Sequence, residues 1–306
     1  MSDKPKNMEA SVRARLLNIA RAEKLNYDFI LLMYMQERLL YRLSISDYND
    51  FFILKGGLLI LSVLNIKTRP TRDIDFLAIS IPNNLDRVRL IFKEIAEIKI
   101  NDGVKYDPES VKVEKITEGA DYDGIRVKIK TYIGSAEKNI QIDLGFGDVV
   151  VPDEVKMDYP GLLDFNKPNI KAYSLETVIA EKFEAILSLS LINSRMKDFY
   201  DIYILSKEKD FIGRVLSKAI KATIENRKTE VKENHPVFEE KFANDKVRNQ
   251  MWQSYLKKIG KEPFDFNESM KRLNEFLLPI YNNILDNTEF SGKWNKENNI
   301  WNKHAV

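Results

Sequence analysis

Apolar residues recur with two different spacings along this chain of 306 residues, and the changes in spacing divide it into segments. From residue 8 to residue 44 the spacing is helical, and Asn26 is placed to begin a second helix. Between residues 51 and about 150 the period becomes two, which predicts strands with one buried and one wet face in a mixed or antiparallel sheet. The predicted strands cover 111–116, 124–131 and 140–146, with hairpin turns at 119–124 and 134–139.

Helical spacing returns in the last part of the chain. Residues 151 to 173 contain three prolines and little periodicity, so we predict a linker there. Ser174 is a suitable N-cap for the helix that follows, whereas the tail from Asn287 is predicted to pack poorly. We predict an α+β protein with N-terminal helices over 1–50, a core over 51–170 and a C-terminal helical domain over 171–306.

Composition limits the chemistry without identifying it. The formal net charge of +2 is close to balance and does not by itself indicate a polyanionic partner. The absence of cysteine excludes disulfides, thiolate catalysis and Cys-based zinc sites. The two histidines, His235 and His304, have no partners in the pattern and are predicted to lie on the surface. No signal peptide and no membrane span are expected, so we predict a cytoplasmic protein with no membrane partner.

Two short motifs carry the strongest chemical signal. Gly56 and Gly57 follow an apolar run and precede good helix formers, where a backbone can approach a ligand and free N–H groups can hold phosphate. Asp73 and Asp75 then begin a strand, and side chains at i and i+2 of a strand point the same way. Two adjacent carboxylates repel unless a cation lies between them. We expect Mg²⁺, or Mn²⁺, bound together with an NTP.

This order of motifs resembles the signature of the polymerase-beta-type nucleotidyltransferases. The sequences Lys-Gly-Gly at 55–57 and Arg-Pro-Thr-Arg-Asp-Ile-Asp at 69–75 are most similar to the AbiEii/AbiGii toxin family within that superfamily. A second block, Ala-Glu-Lys at 180–182 followed by Arg195-x-Lys197-Asp198-x-x-Asp201, is similar to a second motif of that family, which often has Arg-Asp where this chain has Lys-Asp. The resemblance covers roughly residues 50 to 205.

The resemblance implies a nucleotidyltransferase-fold mixed sheet with flanking helices, a C-terminal helical domain and an active site between the two. It implies metal-dependent transfer of a nucleoside monophosphate from an NTP. The implied metal ligands are Asp73 and Asp75, and Asp198 would complete the site. The implied nucleotide contacts are Lys55, Gly56, Gly57, Arg72 and Lys182.

Asp143 has two interpretations, because it lies in the middle of a predicted strand. It is either a polar residue on the wet face of that strand or a third carboxylate beside Asp73 and Asp75. In the second case it would act as general base on the attacking hydroxyl or join the metal site. Asp148, just after the strand, is the alternative to Asp143.

The acceptor and the biological role are less defined by the residues. Residues 206–261 contain 14 Lys or Arg against 8 Asp or Glu, which is either a solvated helical surface or a basic flank that holds RNA. Four aromatic residues either stack on bases or pack the helical domain: Trp252, Tyr255, Trp294 and Trp301. The family likeness suggests the toxin of a toxin–antitoxin or phage-defence pair, with a cognate antitoxin and with tRNA or another RNA as acceptor. Alternatives are a non-catalytic NTP binder, or a transferase acting on a small molecule or protein.

Overall fold

The structure, a computed structural model, describes residues 7–64, 68–118 and 122–302. The chain divides into two compact units. The first unit comprises Met1–Gly147 and Val155–Ala172, and the second comprises Asp148–Glu154 and Tyr173–Val306. The division of the chain at residues 50 and 170 stays a prediction. Within the described residues, no helix is both long enough and apolar enough to span a membrane.

The first unit contains helices that flank a sheet. Asn26 caps α2 by accepting a hydrogen bond from the Phe29 amide, as the sequence predicts. The helices are α1 (Met8–Glu23), α2 (Tyr27–Ser44), α3 (Gly56–Leu64) and α4 (Leu85–Glu97), with 3₁₀ turns at Asn49–Phe51 and Pro108–Ser110. The strands are β1 (Phe52–Lys55), β2 (Asp73–Ala78), β3 (Lys105–Tyr106), β4 (Lys112–Glu118), β5 (Tyr122–Ile133), β6 (Ala136–Phe146), β7 (Val155–Asp158) and β8 (Asn169–Ala172).

The predicted mixed sheet is confirmed. Among the described residues, eight strands form one sheet in the order β3-β5-β6-β2-β1-β8-β7, and β4 pairs with β5. The pairs β2–β6 and β1–β8 are parallel, and the other pairs are antiparallel. Ile140, Ile142 and Leu144 on β6 are buried, which agrees with the predicted alternation, whereas Phe146 at the end of the strand is only half-buried.

Two predictions about the connections are wrong. The turn between β5 and β6 consists of Gly134 and Ser135 alone, so β6 begins earlier than the alternation of apolar residues suggests. The segment 151–173 is not a linker, because it contributes β7 and β8 to the sheet. These strands have four residues each, and β8 pairs with the distant β1, so the local pattern carries little signal for them. Of the other predicted turn, at 119–124, the first three residues lie outside the described residues, and the last three belong to β5 and not to a turn.

The second unit is mainly helical. Ser174 caps α5 by accepting from the Thr177 amide, as predicted. Its helices are α5 (Leu175–Leu189), α6 (Met196–Glu208), α7 (Gly213–Asn226), α8 (Glu240–Ala243), α9 (Lys246–Lys258) and α10 (Phe266–Leu285), with 3₁₀ turns at Ser190–Ile192 and Pro236–Phe238. A small sheet is formed by β9 (Phe211–Ile212), β10 (Lys293–Asn295) and β11 (Ile300–Asn302).

The tail from Asn287 is packed, contrary to the prediction. Trp294 is fully buried, its ring centroid lies 4.8 Å from that of Phe276, and its indole N–H donates to the Ser206 carbonyl at 2.7 Å. A buried tryptophan whose N–H is hydrogen-bonded stabilises the packing of the tail, even though most residues around it are polar. His235 is also buried, not exposed, and the shielding from water lowers its pKa. His304 lies outside the described residues.

Candidate active site

The turn from β1 into α3 needs glycine at its first position. Gly56 has a φ of +68°, a left-handed conformation that costs other residues roughly 1–2 kcal/mol. A Cβ atom on Gly56 would lie 2.0 Å from Oδ2 of Asp75, which is closer than any real contact. The missing side chain therefore allows the Asp75 carboxylate to lie against the start of the helix.

Gly57 permits a second close approach at the same helix start. A Cβ atom on it would lie 2.8 Å from Oγ1 of Thr71. Its N–H donates to Oδ2 of Asp75 at 3.4 Å, and the partial positive charge of a helix N-terminus favours such a carboxylate. The sequence predicts phosphate at this helix start, and the structure shows an aspartate there. Phosphate binding by the two glycines stays a prediction.

The register of the sheet brings the acidic residues of the first unit together. Asp73 and Asp75 are partly exposed on β2, while Ile74 between them is buried, as alternation requires. In the parallel pair β2–β6, Asp75 lies beside Asp143. In the antiparallel pair β1–β2, Lys55 lies beside Asp75. Lys55, Asp75 and Asp143 thus occupy neighbouring register positions on three adjacent strands.

Asp143 is held by Arg126, a residue that the motifs do not single out. Nε and one terminal nitrogen of Arg126 donate to the two Asp143 oxygens, each at 2.8 Å, and Gln141 Nε2 donates to Oδ2 at 3.2 Å. Asp143 is 7% exposed. The hydrogen bond to Asp143 is the main reason that the pKa of Arg126 is raised, and the charge of Asp73 contributes. The Arg126 guanidinium is therefore influenced by both carboxylates.

The residues before β2 are anchored through the backbone. Arg72 has an exposed side chain, and its carbonyl accepts a hydrogen bond from Nε2 of Gln36 at 2.8 Å. Gln36 on α2 is fully buried, so this contact ties the backbone before Asp73 to the interior of the unit. This hydrogen bond fixes the backbone of Arg72 at the end of β2 where the carboxylates lie.

The donor atoms of this cluster suit a hard divalent cation. In the described part of the chain, no three His, Cys, Asp or Glu side chains lie close enough together to hold a metal ion. Mg²⁺ is commonly bound through one or two carboxylates, with substrate phosphates and water completing its shell. Asp73 and Asp75, two partly exposed carboxylates on one face of β2, fit that requirement.

The second unit contains a separate ionic cluster around Lys182. Lys182 Nζ lies 2.9 Å from Oδ1 of Asp198 and 2.7 Å from Oδ2 of Asp201, and both aspartates are fully buried. Arg195 Nε pairs with Oδ2 of Asp198 at 2.6 Å. Asp198 and Asp201 lie three positions apart on α6, so both face the same direction. The structure joins Lys182 and Asp198, and it adds Asp201 and Arg195, to which the sequence analysis gives no role.

Asp148, the alternative to Asp143, belongs to the second unit. It accepts from Arg227 at 2.8 Å, and Arg227 also donates to Glu184 at 2.7 Å. Burial alone would lower the pKa of Arg227, but the charges of Glu181 and Asp148 raise it. This pairing gives Asp148 a structural contact within its own unit.

The basic segment 206–261 also belongs to the second unit. Some of its charges are paired, for example Lys232 with Glu230 at 2.8 Å. Trp252 and Trp294 are fully buried, which confirms that these two tryptophans pack the helical unit. The use of this segment for binding RNA stays a prediction.

Comparisons with known proteins give a family match. The family model described as "Nucleotidyl transferase AbiEii toxin, Type IV TA system" matches residues 38–277, well over half of the chain. No curated protein matches the chain. The crystal structure of JHP933 from Helicobacter pylori is 15% identical, with a TM-score of 0.49, and the match covers 86% of this chain and 96% of that one. A second H. pylori structure, provisionally named a nucleotidyltransferase, is 14% identical with a TM-score of 0.46, and covers 87% and 100%.

Proposed function

The chain belongs to the AbiEii nucleotidyl transferase toxin family of type IV toxin–antitoxin systems, and we propose that it transfers a nucleoside monophosphate from an NTP to RNA, with tRNA as the favoured acceptor. In this reaction the acceptor hydroxyl oxygen bonds to the α-phosphorus. The bond from that phosphorus to the bridging oxygen breaks, and pyrophosphate leaves with its electron pair. The hydroxyl proton passes to a base. A cognate antitoxin would restrain the activity.

One observation carries the proposal: the Asp75 carboxylate packs directly against the turn formed by Gly56 and Gly57. The turn is shaped so that the carboxylate of Asp75 fits where a side chain on Gly56 would be, and Asp73 lies on the same face of β2. A Cβ atom on Gly56 would lie 2.0 Å from Oδ2 of Asp75, so only glycine leaves room for the carboxylate there. Such a close fit is the kind of supporting contact that fixes a ligand-binding side chain in one geometry.

Asp73 and Asp75 are the proposed ligands of Mg²⁺ or Mn²⁺, and Asp143 lies beside Asp75 in the register of the sheet. When bound, the cation would offset the negative charge of the triphosphate. Lys55 and Arg72, at the same end of β2, are proposed to contact the nucleotide. Carboxylate oxygens would thus bind the cation, and the cationic nitrogens of the lysine and the arginine would bind the nucleotide.

Asp143 is the proposed base, with a condition set by its partner. Both of its oxygens accept hydrogen bonds from Arg126, so in this proposal the guanidinium withdraws from the carboxylate when the acceptor hydroxyl approaches. A negatively charged phosphate is a competing partner for that guanidinium. Arg126 would then move from the carboxylate to the phosphate as Asp143 becomes available.

In the second unit, Lys182 stays the proposed cation for phosphate oxygens. Its ammonium is held by Asp198 and Asp201, which fixes the position of an otherwise flexible side chain. Asp198 and Asp201 therefore act as positioning residues through Lys182. Their own contact with substrate is not needed for this role.

The proposal is tested by label transfer. The purified protein is incubated with Mg²⁺, with each α-labelled NTP in turn, and with total tRNA or a protein extract. We expect label on RNA from the wild-type protein. We expect a loss of at least about 10²–10³-fold in Asp73→Asn and Asp75→Asn, which each remove one charge that would hold the cation. Asp86→Asn, at a largely exposed carboxylate on α4, is the matched control and should keep full activity.

The other outcomes separate the alternatives. Label on protein would retain the chemistry and replace the acceptor. Tight NTP binding with no label on RNA, protein or small molecules would identify a non-catalytic binder. Equal activity in wild type, Asp73→Asn and Asp75→Asn would remove these aspartates from the reaction.

A further inference from the structure

An open groove runs along one face of α9 in the second unit. The α9 residues that line it recur at helical spacing, so they form a single stripe: Val247, Gln250, Met251, Ser254, Tyr255 and Lys258. The opposite face of α9 is anchored by Trp252 and Leu256, both fully buried. The groove face is therefore the outward side of a helix that is already fixed in the unit.

The start of α6 forms the other wall of the groove. Arg195, Met196 and Lys197 line it there, and the volume is about 720 Å³. Leu191 and Ile192, in the 3₁₀ turn before α6, are exposed by 60% and 83%. Arg248 on α9 donates to the Leu191 carbonyl, which holds this turn beside α9. The turn beside the groove therefore adds two exposed apolar side chains that do not themselves line it.

The groove combines exposed apolar side chains with positive charge. Val247 and Met251 are exposed by 57% and 41%, and large apolar side chains that cluster on a surface are typical of protein-binding sites. Arg195, Lys197 and Lys258 supply the charge, and no acidic residue is found among the described residues that line the groove. Methionine side chains adapt to the shape of a partner. The complementary ligand has apolar anchors flanked by carboxylates.

The same groove is poorly suited to nucleic acid. Single-stranded RNA binds to proteins mainly by stacking bases on open aromatic faces. Tyr255 is the aromatic residue of the lining, and its ring already packs against Tyr200 and Trp252, with centroids 5.8 Å and 6.1 Å apart. The basic rim without an open stacking surface favours a protein ligand.

We propose that this groove binds an acidic amphipathic helix of a partner protein, with its apolar face on Val247 and Met251 and its carboxylates on Arg195, Lys197 and Lys258. The stripe from Val247 to Lys258 is about 16 Å long, which matches about three turns of helix. Helix-in-groove binding is a common mode of peptide recognition. This inference does not depend on the proposed transfer reaction.

Arg195 connects the groove to the Lys182 cluster. Its guanidinium pairs with Asp198 while its side chain also lines the groove. A carboxylate of the partner that binds Arg195 competes with Asp198 for the same group. Occupation of the groove would therefore alter the contacts of Asp198, and through it those of Lys182.

The test is a selection of peptides of about 16 residues, long enough to span the groove as a helix, from a displayed random library on the full-length protein. Fluorescence anisotropy then gives the affinity of the selected peptides. We expect selected sequences with apolar residues at i, i+3, i+4 and i+7 and an excess of Asp and Glu. Met251→Glu and Lys258→Glu should each weaken binding by about tenfold or more.

Matched controls keep the test decisive. Lys257→Glu changes the net charge equally at the adjacent exposed position of α9, which does not line the groove. Leu90→Glu, at an exposed apolar position of α4, is the corresponding control for Met251→Glu. Neither should weaken binding. Selected peptides that lack acidic amphipathic character, or that bind Lys258→Glu as tightly as wild type, would overturn the proposal. So would binding of a random RNA pool that is lost in Met251→Glu and Lys258→Glu but kept in Lys257→Glu.

Discussion

The two charged clusters of this protein use the same residue types with different exposure. In the first unit, sheet register and a glycine turn place Asp73 and Asp75, and both remain partly exposed. In the second unit, Asp198 and Asp201 are fully buried and close on Lys182 from one face of α6. Sheet register and the glycine turn position the first cluster, in which Arg126 also pairs with Asp143. The second cluster is held by ionic contacts to fully buried aspartates.

This difference separates what each cluster can do. A partly exposed carboxylate stays accessible to a cation and to water, so its loss should affect ligand binding more than folding. A buried carboxylate needs its cationic partner, because an isolated charge in the interior is costly. The contrast predicts that substitutions in the first cluster change activity more than stability. Substitutions in the second cluster should lower stability strongly, in addition to any loss of the phosphate contact proposed for Lys182.

The largest expected effect is in the Lys182 cluster. Lys182→Met keeps most of the side-chain length but leaves Asp198 and Asp201 buried without that ammonium. We expect the free energy of unfolding to fall by about 3–5 kcal/mol. Urea unfolding followed by circular dichroism would measure this change.

The control for this prediction is a lysine in an exposed ion pair. Lys128 pairs with Glu114 at 2.7 Å, with both side chains about half exposed, and Lys128→Met should cost less than about 1 kcal/mol. Adding Asp198→Asn and Asp201→Asn to Lys182→Met should recover part of the loss, because the buried charges are removed as well. If Lys182→Met and Lys128→Met were equally mild, the second cluster would not be held by its ionic contacts.

A smaller effect is expected from the glycine turn of the first cluster. Gly56→Ala adds a Cβ atom in a left-handed conformation and forces Asp75 to move. Strain should cost roughly 1–2 kcal/mol, and the displaced carboxylate should lower transfer to RNA by at least about tenfold. Thermal unfolding and label transfer would measure the two effects.

Gly260 provides a matched control for this substitution. It has the same φ of +68° as Gly56, and none of the described residues places an atom within 4 Å of its Cβ position. Gly260→Ala should therefore show the backbone strain alone and keep full activity. If both variants lost activity equally, the loss would come from backbone strain in general. The close approach of Asp75 to Gly56 would then have no role of its own in activity.

The sequence is sufficient for those parts of the site that depend on local pattern. The period of two predicts that Asp73 and Asp75 share a face, and adjacent glycines predict the close approach before α3. Sequence analysis does not identify Arg126 as a site residue, because its pairing with Asp143 depends on the length of the turn between β5 and β6. With the turn at Gly134 and Ser135, β5–β6 pairing places Arg126 opposite Asp143. The longer predicted turn shifts that register.

Long-range contacts explain the other differences. β8 pairs in parallel with the distant β1, so neither strand shows its partner in the local sequence. Asp201 was within reach of sequence analysis, because its spacing from Asp198 puts both on one helical face. What the spacing does not reveal is that α5 brings Lys182 to that face. Packing between helices supplies this information, and apolar periodicity alone does not define which helices meet.

The smallest expected effect concerns Arg126, the cation that pairs with Asp143 in the first cluster. Arg126→Lys keeps the charge but loses the two parallel hydrogen bonds to Asp143. Arg126 is 31% exposed, so stability should fall by only about 0.5–1 kcal/mol, while transfer to RNA should fall by about tenfold because Asp143 is less well oriented. Arg89→Lys, at an exposed ion pair with Asp86, should change neither quantity. A loss of stability in Arg126→Lys as large as that of Lys182→Met would show that both clusters are closed ionic networks, and the contrast between them would disappear.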